Sequence, residues 1–348
     1  MNCEGRRSTR ASPPTPNTPN TPTIIARVTR HSKSLTRILL VLGLGFGVLF
    51  VSTPQAIEAS ASSSDSAPRT GPRRLVSLNP SLSAIVLRLG EGERLVGVDD
   101  YSARLMPELA ELPRVGGLFD PGLESILSLR PDRVLLVAGL EQETHATRLA
   151  KLGIPVEIYP NERLEEVLEN IERLGALLGR EQAAASRIQA ILAMRKAVSM
   201  AAKSRPRPTS VAIVDRSPLF IVGSETFLDE MLDAVGAENL GRRLAKGYPR
   251  GSIEWLIAAG PERLLDMTPG ATAAVEFWSR WPSIPAVAHG QVIDVDASRI
   301  SLPGPDLDLA LRELAIAVHG AGIEADIRRA IAVGRERSPL REDEPWAR

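Results

Sequence analysis

The chain has 348 residues, of which 43% are hydrophobic and only 4% aromatic, and its 42 basic residues balance 42 acidic ones. This balance hides a division, because residues 1–37 hold seven basic residues and one acid, whereas the chain from Ser60 onward holds 35 basic and 40 acidic residues. A mildly acidic body argues against a nucleic-acid partner, and the length suits two lobes better than one core. The single cysteine, Cys3, precedes the body, which excludes disulfides, thiolate metal sites and iron–sulfur clusters there.

Residues 38–51 form a run of apolar residues and glycines, with basic residues before it and small residues after it. This layout is typical of a secretory signal peptide, and Ala59 and Ala61 form one candidate cleavage motif. The run is short of the roughly 20 apolar residues of a spanning helix, so an uncleaved anchor is the alternative. No cysteine follows the run, which argues against a lipoprotein anchor. We expect an exported or periplasmic protein with a leader at 1–59 and a flexible linker at 60–72.

The first half of the body alternates strands with helices. In chain order, the pattern predicts a strand at 75–78, a helix ending near Leu89, strands at 95–98, 134–138 and 154–159, and an amphipathic helix at 164–178. Strands that alternate with helices indicate a parallel sheet with helices on both faces. We assign residues 73–180 to an N-terminal α/β lobe.

A long segment without glycine or proline follows, at residues 181–203. Its apolar residues recur at helical spacing, so it predicts one helix of about 35 Å at 1.5 Å per residue. After it the alternation resumes, with strands at 210–214, 219–222, 264–267 and 292–295 and helices at 227–235, 253–259 and 307–318. We therefore predict two three-layer α/β lobes with parallel sheets, joined by one long helix. The second lobe is assigned to residues 204–322, and a disordered charged tail is expected at 323–348.

One pattern occurs twice. Residues 122–136 match residues 252–266 without a gap, and Glu124 and Glu254 occupy the same place in the two copies. A glutamate in the first turn of a helix interacts favourably with the helix dipole, and for one glutamate this explanation would suffice. A matched pair, at equivalent places in two lobes, favours a shared outward-facing role, although duplication alone also produces such a match.

The order of these elements resembles the periplasmic solute-binding proteins of ABC importers for cobalamin, ferric siderophores and haem. The resemblance covers residues 73–322. It depends on the segments at 74–81, 95–102, 114–117, 123–124, 129–132 and 252–254, together with the long connecting helix.

This resemblance implies a function. A monomer would capture a metal chelate between its lobes and deliver it to an ABC permease dimer, with Glu124 and Glu254 docking against the permease. A corrinoid such as cobalamin is favoured, and a ferric siderophore or haem is the alternative. The ligand residues would lie in loops at the carboxyl ends of strands: Asn79, Tyr101, Leu118, Phe119, Gly139, Tyr248, Asp296 and Arg299.

Several alternatives stay open. Tyr101 and Tyr248 would serve equally well in packing between the lobes, and Arg299 equally well on the surface. The histidines of the body, His145, His289 and His319, are widely spaced, which favours structural roles over a zinc or manganese site.

The same scaffold would also suit an enzyme, namely a periplasmic chelatase or hydrolase. The body contains neither a dinucleotide-binding glycine pattern nor a Walker loop nor a nucleophile elbow, so we expect no cofactor and no catalytic residue. Of two neighbouring tryptophans, Trp281 is expected in the core and Trp278 partly exposed.

Overall fold

Two β-sheets organise the chain in the computed structural model, one in each half of the body. The structure describes residues 71–337, apart from Phe119, residues 269–271 and the side chains of Leu140 and residues 335–337. The predicted leader, most of the predicted linker and residues 338–348 lie outside the described residues. Within the described range, no helix has both the length and the apolar character needed to cross a membrane.

The first lobe contains a four-stranded sheet in which all neighbours are parallel, in the order β2-β1-β3-β4. Its strands are β1 (Leu75–Ser77), β2 (Leu95–Val98), β3 (Arg133–Val137) and β4 (Val156–Tyr159). Its helices are α1 (Pro80–Arg88), α2 (Asp100–Leu105), α3 (Leu123–Ser128), α4 (Leu140–Lys151) and α5 (Leu164–Leu178).

Both faces of this sheet are buried. Leu135 and Val137 of β3 belong to one core cluster, whereas Val134 and Leu136 belong to another on the opposite face. Successive side chains of a strand point to opposite faces, so this alternation requires helices on both sides. The first lobe is therefore a three-layer α/β structure.

The connecting helix is α6 (Glu181–Ala202). Its 22 residues give a length of about 33 Å. Ile191 and Val198 are fully buried in a core cluster that draws residues from both lobes. At the start of α6, the carboxylate of the buried Glu91 accepts hydrogen bonds from Arg94 and from Arg180. This charge cluster attaches the beginning of the connecting helix to the first lobe.

The second lobe contains strands β5 (Thr209–Arg216), β6 (Leu219–Ile221), β7 (Glu238–Asn239), β8 (Arg263–Asp266) and β9 (Val292–Asp294). They are arranged in the order β6-β5-β8-β9, with β7 also beside β5. Its helices are α7 (Phe227–Ala234), α8 (Ile253–Ala259), α9 (Ala274–Trp278), α10 (Pro285–Ala288), α11 (Ala297–Ile300) and α12 (Leu307–His319).

One strand of this sheet runs against the others. β6 pairs antiparallel with β5, whereas β7, β8 and β9 are parallel to their neighbours. Only Ser217 and Pro218 separate β5 from β6, and so short a connection joins antiparallel strands, since a parallel pair needs a long crossover. The predicted fold class, two α/β lobes with parallel sheets joined by one long helix, is otherwise confirmed.

The expectation of a disordered tail is wrong for residues 323–337. They form a further helix, α13 (Ile323–Arg337), in which Ile323 and Ile327 are buried against the core shared by the lobes. Arg205, just after α6, holds this helix through hydrogen bonds to Asp326. The apolar residues recur at helical spacing beneath a highly charged exterior, which makes the segment amphipathic. Residues 338–348 lie outside the described part of the chain.

The expectation for the two tryptophans is also wrong. Trp278 is fully buried, and its indole Nε1 donates a hydrogen bond to the buried carboxylate of Asp266 at the end of β8. Trp281 is only partly buried and packs against the edge of the same cluster. A buried indole N–H needs an acceptor, and Asp266 supplies it.

A pair of matched substitutions tests the role of α13. Ile327 is 2% exposed and Val333 is 37% exposed on the same helix. We expect Ile327→Ala to lower the free energy of unfolding by about 2–4 kcal/mol, because it leaves a cavity in the core. Val333→Ala should change it by about 0.5 kcal/mol or less. Urea unfolding of the purified protein measures both, and equal effects would show that α13 is not packed on the core.

Candidate ligand-binding and docking sites

The predicted ligand residues of the first lobe follow strand ends. Asn79 comes after β1, Tyr101 after β2 and Gly139 after β3. These strands are parallel, so their carboxyl ends lie at one edge of the sheet. Ligands of α/β proteins bind at such an edge. Asn161 and Glu162, which follow β4, lie at the same edge.

Some of these side chains are engaged in contacts with residues close to them in the chain. Asn79 is buried, and its side-chain oxygen caps α1 by accepting a hydrogen bond from the backbone N–H of Ser81 at 2.9 Å. Tyr101 is 55% exposed, with the Arg104 guanidinium 4.2 Å from the ring centroid. Leu118 packs on the edge of the shared core, whereas Phe119 lies outside the described residues. Asn79 therefore orders its loop, and Tyr101 offers an exposed aromatic ring.

A cavity of about 580 Å³ lies between the lobes. The first lobe contributes Asn161 and Glu162, and the second contributes the loops around Glu225, Lys246 and Tyr248. Its volume falls in the range of small-molecule sites. Of the predicted ligand residues that the structure describes, Tyr248 lines this cavity. The others, which are not among its lining residues, are Asn79, Tyr101, Leu118, Gly139, Asp296 and Arg299.

Backbone hydrogen bonds fix the cavity wall in the second lobe. Gly223 N–H donates to the Gly247 carbonyl at 2.8 Å, and Ser224 N–H donates to the Ala245 carbonyl at 3.0 Å. The next residue, Glu225, has a left-handed backbone with φ of 60°. This conformation costs a non-glycine residue about 1–2 kcal/mol, so the surrounding structure must enforce it. The loops carrying Glu225 and Lys246 are thus held together by contacts within the second lobe.

Burial raises the pKa of the Tyr248 hydroxyl to about 12, and the negative charge of Glu162 on the other lobe adds to the shift. A hydrogen bond with Thr226 acts in the opposite direction. Thr226 is buried, while 43% of the Tyr248 surface stays exposed. The tyrosine is therefore protonated at neutral pH, and it presents an aromatic face at the cavity.

The structure does not bring the predicted pair after β9 to the cavity. Asp296 caps α11 by accepting from the backbone N–H of Ser298 at 2.9 Å. Arg299 is exposed and donates to Glu313 at 2.7 Å, and this hydrogen bond raises its pKa. These contacts account for both side chains as surface residues.

Glu124 and Glu254 have equivalent surroundings. Each stands in the first turn of a short helix, α3 or α8, and each is exposed. Neither forms an ion pair with another described residue. Three residues further along, Leu127 and Ile257 are both 38% exposed. Each lobe therefore presents an acidic group beside an exposed aliphatic side chain.

The two helices begin differently. Ser252 caps α8, whereas Gly122 begins α3 without a side-chain cap. Hydrogen bonds from its own backbone N–H and from the Ser252 hydroxyl lower the pKa of Glu254. These local donors favour the charged form of the Glu254 carboxylate.

Glu162, Glu225 and Lys246 line the cavity but were missed by the sequence analysis. Glu162 could have been found, because it follows a strand at the same edge as Asn79 and Tyr101. Lys246 belongs to an irregular loop, and no pattern in the sequence indicates its position beside Glu225.

The described residues contain no group of three side chains suited to hold a metal ion. His319 instead contacts the backbone carbonyl of Val235 through Nε2 at 2.7 Å. Burial lowers the pKa of His319, which favours the neutral ring. The alternative of a bare zinc or manganese receptor therefore has no candidate centre in the described part of the chain.

The proximity of Glu162 to Tyr248 can be tested by titration. Comparing the alkaline absorbance change of the protein with that of Tyr248→Phe isolates Tyr248, whose midpoint is expected near pH 12. Glu162→Gln should lower this midpoint, because a negative charge disfavours the tyrosinate. Glu165→Gln, which changes an exposed glutamate that does not line the cavity, is the control. A midpoint unchanged by Glu162→Gln would contradict the arrangement.

Comparisons with known proteins agree with this architecture. Residues 75–298 match the family model described as periplasmic binding protein. An uncharacterized ABC transporter substrate-binding lipoprotein of Bacillus subtilis is 28% identical, over 74% of this chain and 84% of that protein. A vitamin B12-binding protein of Vibrio vulnificus is 24% identical, over 72% of this chain and 91% of its own length. The crystal structure of a periplasmic heme-binding protein of Pseudomonas aeruginosa aligns with a TM-score of 0.62 and 28% identity, covering 72% of this chain and 94% of that one.

The matched region spans both sheets, the connecting helix and every residue lining the cavity except Ser301 and Pro303. The resemblance inferred from the sequence is therefore confirmed, and the chain belongs to the periplasmic binding protein family.

Proposed function

We propose that the protein is exported, captures a metal chelate between its lobes and delivers it to an ABC permease. The observation that carries this proposal is the cavity of about 580 Å³, to which each lobe contributes side chains. A corrinoid is the favoured ligand, and a ferric siderophore or haem is the alternative. Relatives named for vitamin B12 and for heme support the class of ligand. The apolar run at 38–51 supports export.

The cavity suits a flat ligand with a polar periphery. Tyr248 offers an aromatic face for a macrocycle, while Asn161 and Glu162 on the opposite lobe offer polar groups for the ligand's edge. Because the loops of the second lobe are held by their own hydrogen bonds, little ordering is needed on binding. This arrangement favours capture by a site that is largely formed in advance.

Glu124 and Glu254 are proposed as the docking residues. Both are exposed, and neither forms an ion pair with a described residue, so both remain open to a basic partner. Two separated charge contacts fix the orientation of a complex and accelerate encounter. Exposed ion pairs contribute only about 0–1 kcal/mol each, so orientation matters more than affinity.

An enzymatic role has less support. The relatives are named for binding and transport, and the alternative of a chelatase or hydrolase gains nothing from them. One carboxylate of the first lobe, Asp99, has a pKa raised by burial. It caps α2 through the backbone N–H groups of Tyr101 and Ser102 and is not among the residues lining the cavity. This local role accounts for its burial.

A thermal-shift panel tests the ligand class. A chelate that binds only the folded protein raises the melting temperature. At a ligand concentration of about a hundred times Kd, the free energy of unfolding increases by about 2.7 kcal/mol. We expect cobalamin or cobinamide to give the largest shift, with haem and ferric siderophores as the other members of the panel. Stabilisation by zinc or manganese, with no response to any chelate, would refute the proposal.

Charge reversal tests docking. We expect Glu124→Arg with Glu254→Arg to abolish transport, because two arginines would repel a basic partner, while ligand affinity stays unchanged. Glu165→Arg with Glu276→Arg is the matched control. These exposed glutamates also stand in first helical turns, one in each lobe, and their reversal changes the net charge equally.

Uptake of labelled ligand by cells is the measurement for both double variants. Transport that survives in the first variant, or an equal loss in the control, would contradict the assignment of Glu124 and Glu254.

A further inference from the structure

The charges around the cavity are unevenly paired. Its lining contains Glu162, Glu225 and Lys246. Lys246 and Glu225 form an ion pair at 2.8 Å within the second lobe. Glu162, on the first lobe, forms no ion pair with a described residue. One uncompensated carboxylate therefore belongs to the cavity.

The ion pair of the second lobe is supported by the backbone. Ser224 and Lys246 form an isolated parallel bridge, and Gly247 N–H donates to the Ser224 carbonyl at 2.9 Å. The left-handed conformation of Glu225 belongs to the same arrangement. Glu225, on the same lobe, thus compensates the charge of Lys246. An anionic ligand would have to compete with Glu225 for this lysine.

The carboxylate of Glu162 is available to a ligand. Its backbone N–H, and not its side chain, takes part in the local capping contact with Glu166, at 2.8 Å. Glu162 lines the same cavity as Tyr248, and its negative charge raises the pKa of the Tyr248 hydroxyl. At this position a carboxylate accepts hydrogen bonds and donates none.

We infer that Glu162 selects ligands by the charge of their periphery, favouring chelates edged with N–H donors such as carboxamides and rejecting chelates edged with carboxylates. This inference rests on the proposed function of chelate capture. A carboxamide donates to Glu162, whereas a carboxylate at the same place is repelled, and the repulsion grows as the ligand displaces water from the cavity.

Two corrinoids isolate this effect. Dicyanocobinamide and dicyanocobyrinic acid share the corrin ring and the axial ligands, but the first carries amides where the second carries carboxylates. Haem, with two carboxylates, is the third probe. Binding of each to the purified full chain is measured by titration, for the unaltered protein, for Glu162→Gln and for the control Glu165→Gln.

The unaltered protein should bind cobinamide more tightly than either carboxylate probe. Glu162→Gln should raise the affinity for cobyrinic acid by about tenfold, because the repulsion between two carboxylates in contact is equivalent to about one pKa unit, a factor of ten. The gain in affinity should be smaller in high salt, which screens the repulsion. Cobinamide affinity should fall by a smaller factor, since glutamine still accepts a hydrogen bond. Glu165→Gln should leave all three affinities unchanged.

Two results would overturn the inference and leave the proposed function standing. One is cobinamide binding with no gain for cobyrinic acid in Glu162→Gln, and the other is haem binding as tight as that of cobinamide. Failure of the unaltered protein to bind any chelate would remove the proposed function, and the inference with it.

Discussion

The structure depends on one hydrophobic core that both lobes share around the connecting helix. α6 contributes Ile191 and Val198 to this core, while α5 of the first lobe and α12 and α13 of the second pack around it. Opening the lobes widely would expose part of this surface, at about 25 cal/mol for each Å² of apolar area. Each 100 Å² exposed would therefore cost about 2.5 kcal/mol, a large part of the stability of a domain. The fold permits small adjustments of the cleft and opposes wide hinge motion.

Charged groups reinforce this frame at both ends of the connecting helix. At its beginning, Glu91 is buried between Arg94 and Arg180, and beyond its end Arg205 binds Asp326 of α13. The pair of Glu91 with Arg94 is buried; such a pair adds little net stability, but removal of one partner costs about 3–5 kcal/mol. These contacts therefore define how α6 is attached to each lobe. The site between the lobes is therefore carried by a frame that both packing and charge hold together.

The sequence predicted the architecture well because local rules determine it. The helix at 164–178 was predicted with its exact bounds, since its apolar residues repeat at helical spacing and Gly179 takes the left-handed conformation that ends it. Helix α13 was not predicted, because the segment is rich in charged residues, which is typical of a disordered tail. Its few apolar residues recur at helical spacing, but they form only a narrow stripe.

The site was predicted less completely because tertiary contacts assemble it. Tyr248 was predicted as a ligand residue and lines the cavity, but the pairing of Lys246 with Glu225 arises from contacts between separate loops. The burial of Trp278 depends on Asp266, a carboxylate that no local pattern connects to it. The ion pair of Lys246 and the burial of Trp278 therefore depend on which residues become neighbours in the folded chain, and residue type alone does not predict them.

The different beginnings of α3 and α8, the helices proposed to dock, have a consequence for assembly. Ser252 caps α8 by accepting a hydrogen bond from the backbone N–H of Trp255, whereas α3 begins at Gly122 without a side-chain cap. A capped helical turn is better ordered, so a residue on it loses less conformational entropy when it meets a partner, whereas a residue on an uncapped turn adapts better to imperfect geometry. On a symmetric partner the two contacts would be chemically alike and entropically unequal. The contact of the second lobe would then set the alignment of the complex, and the contact of the first lobe would adapt to small errors in that alignment.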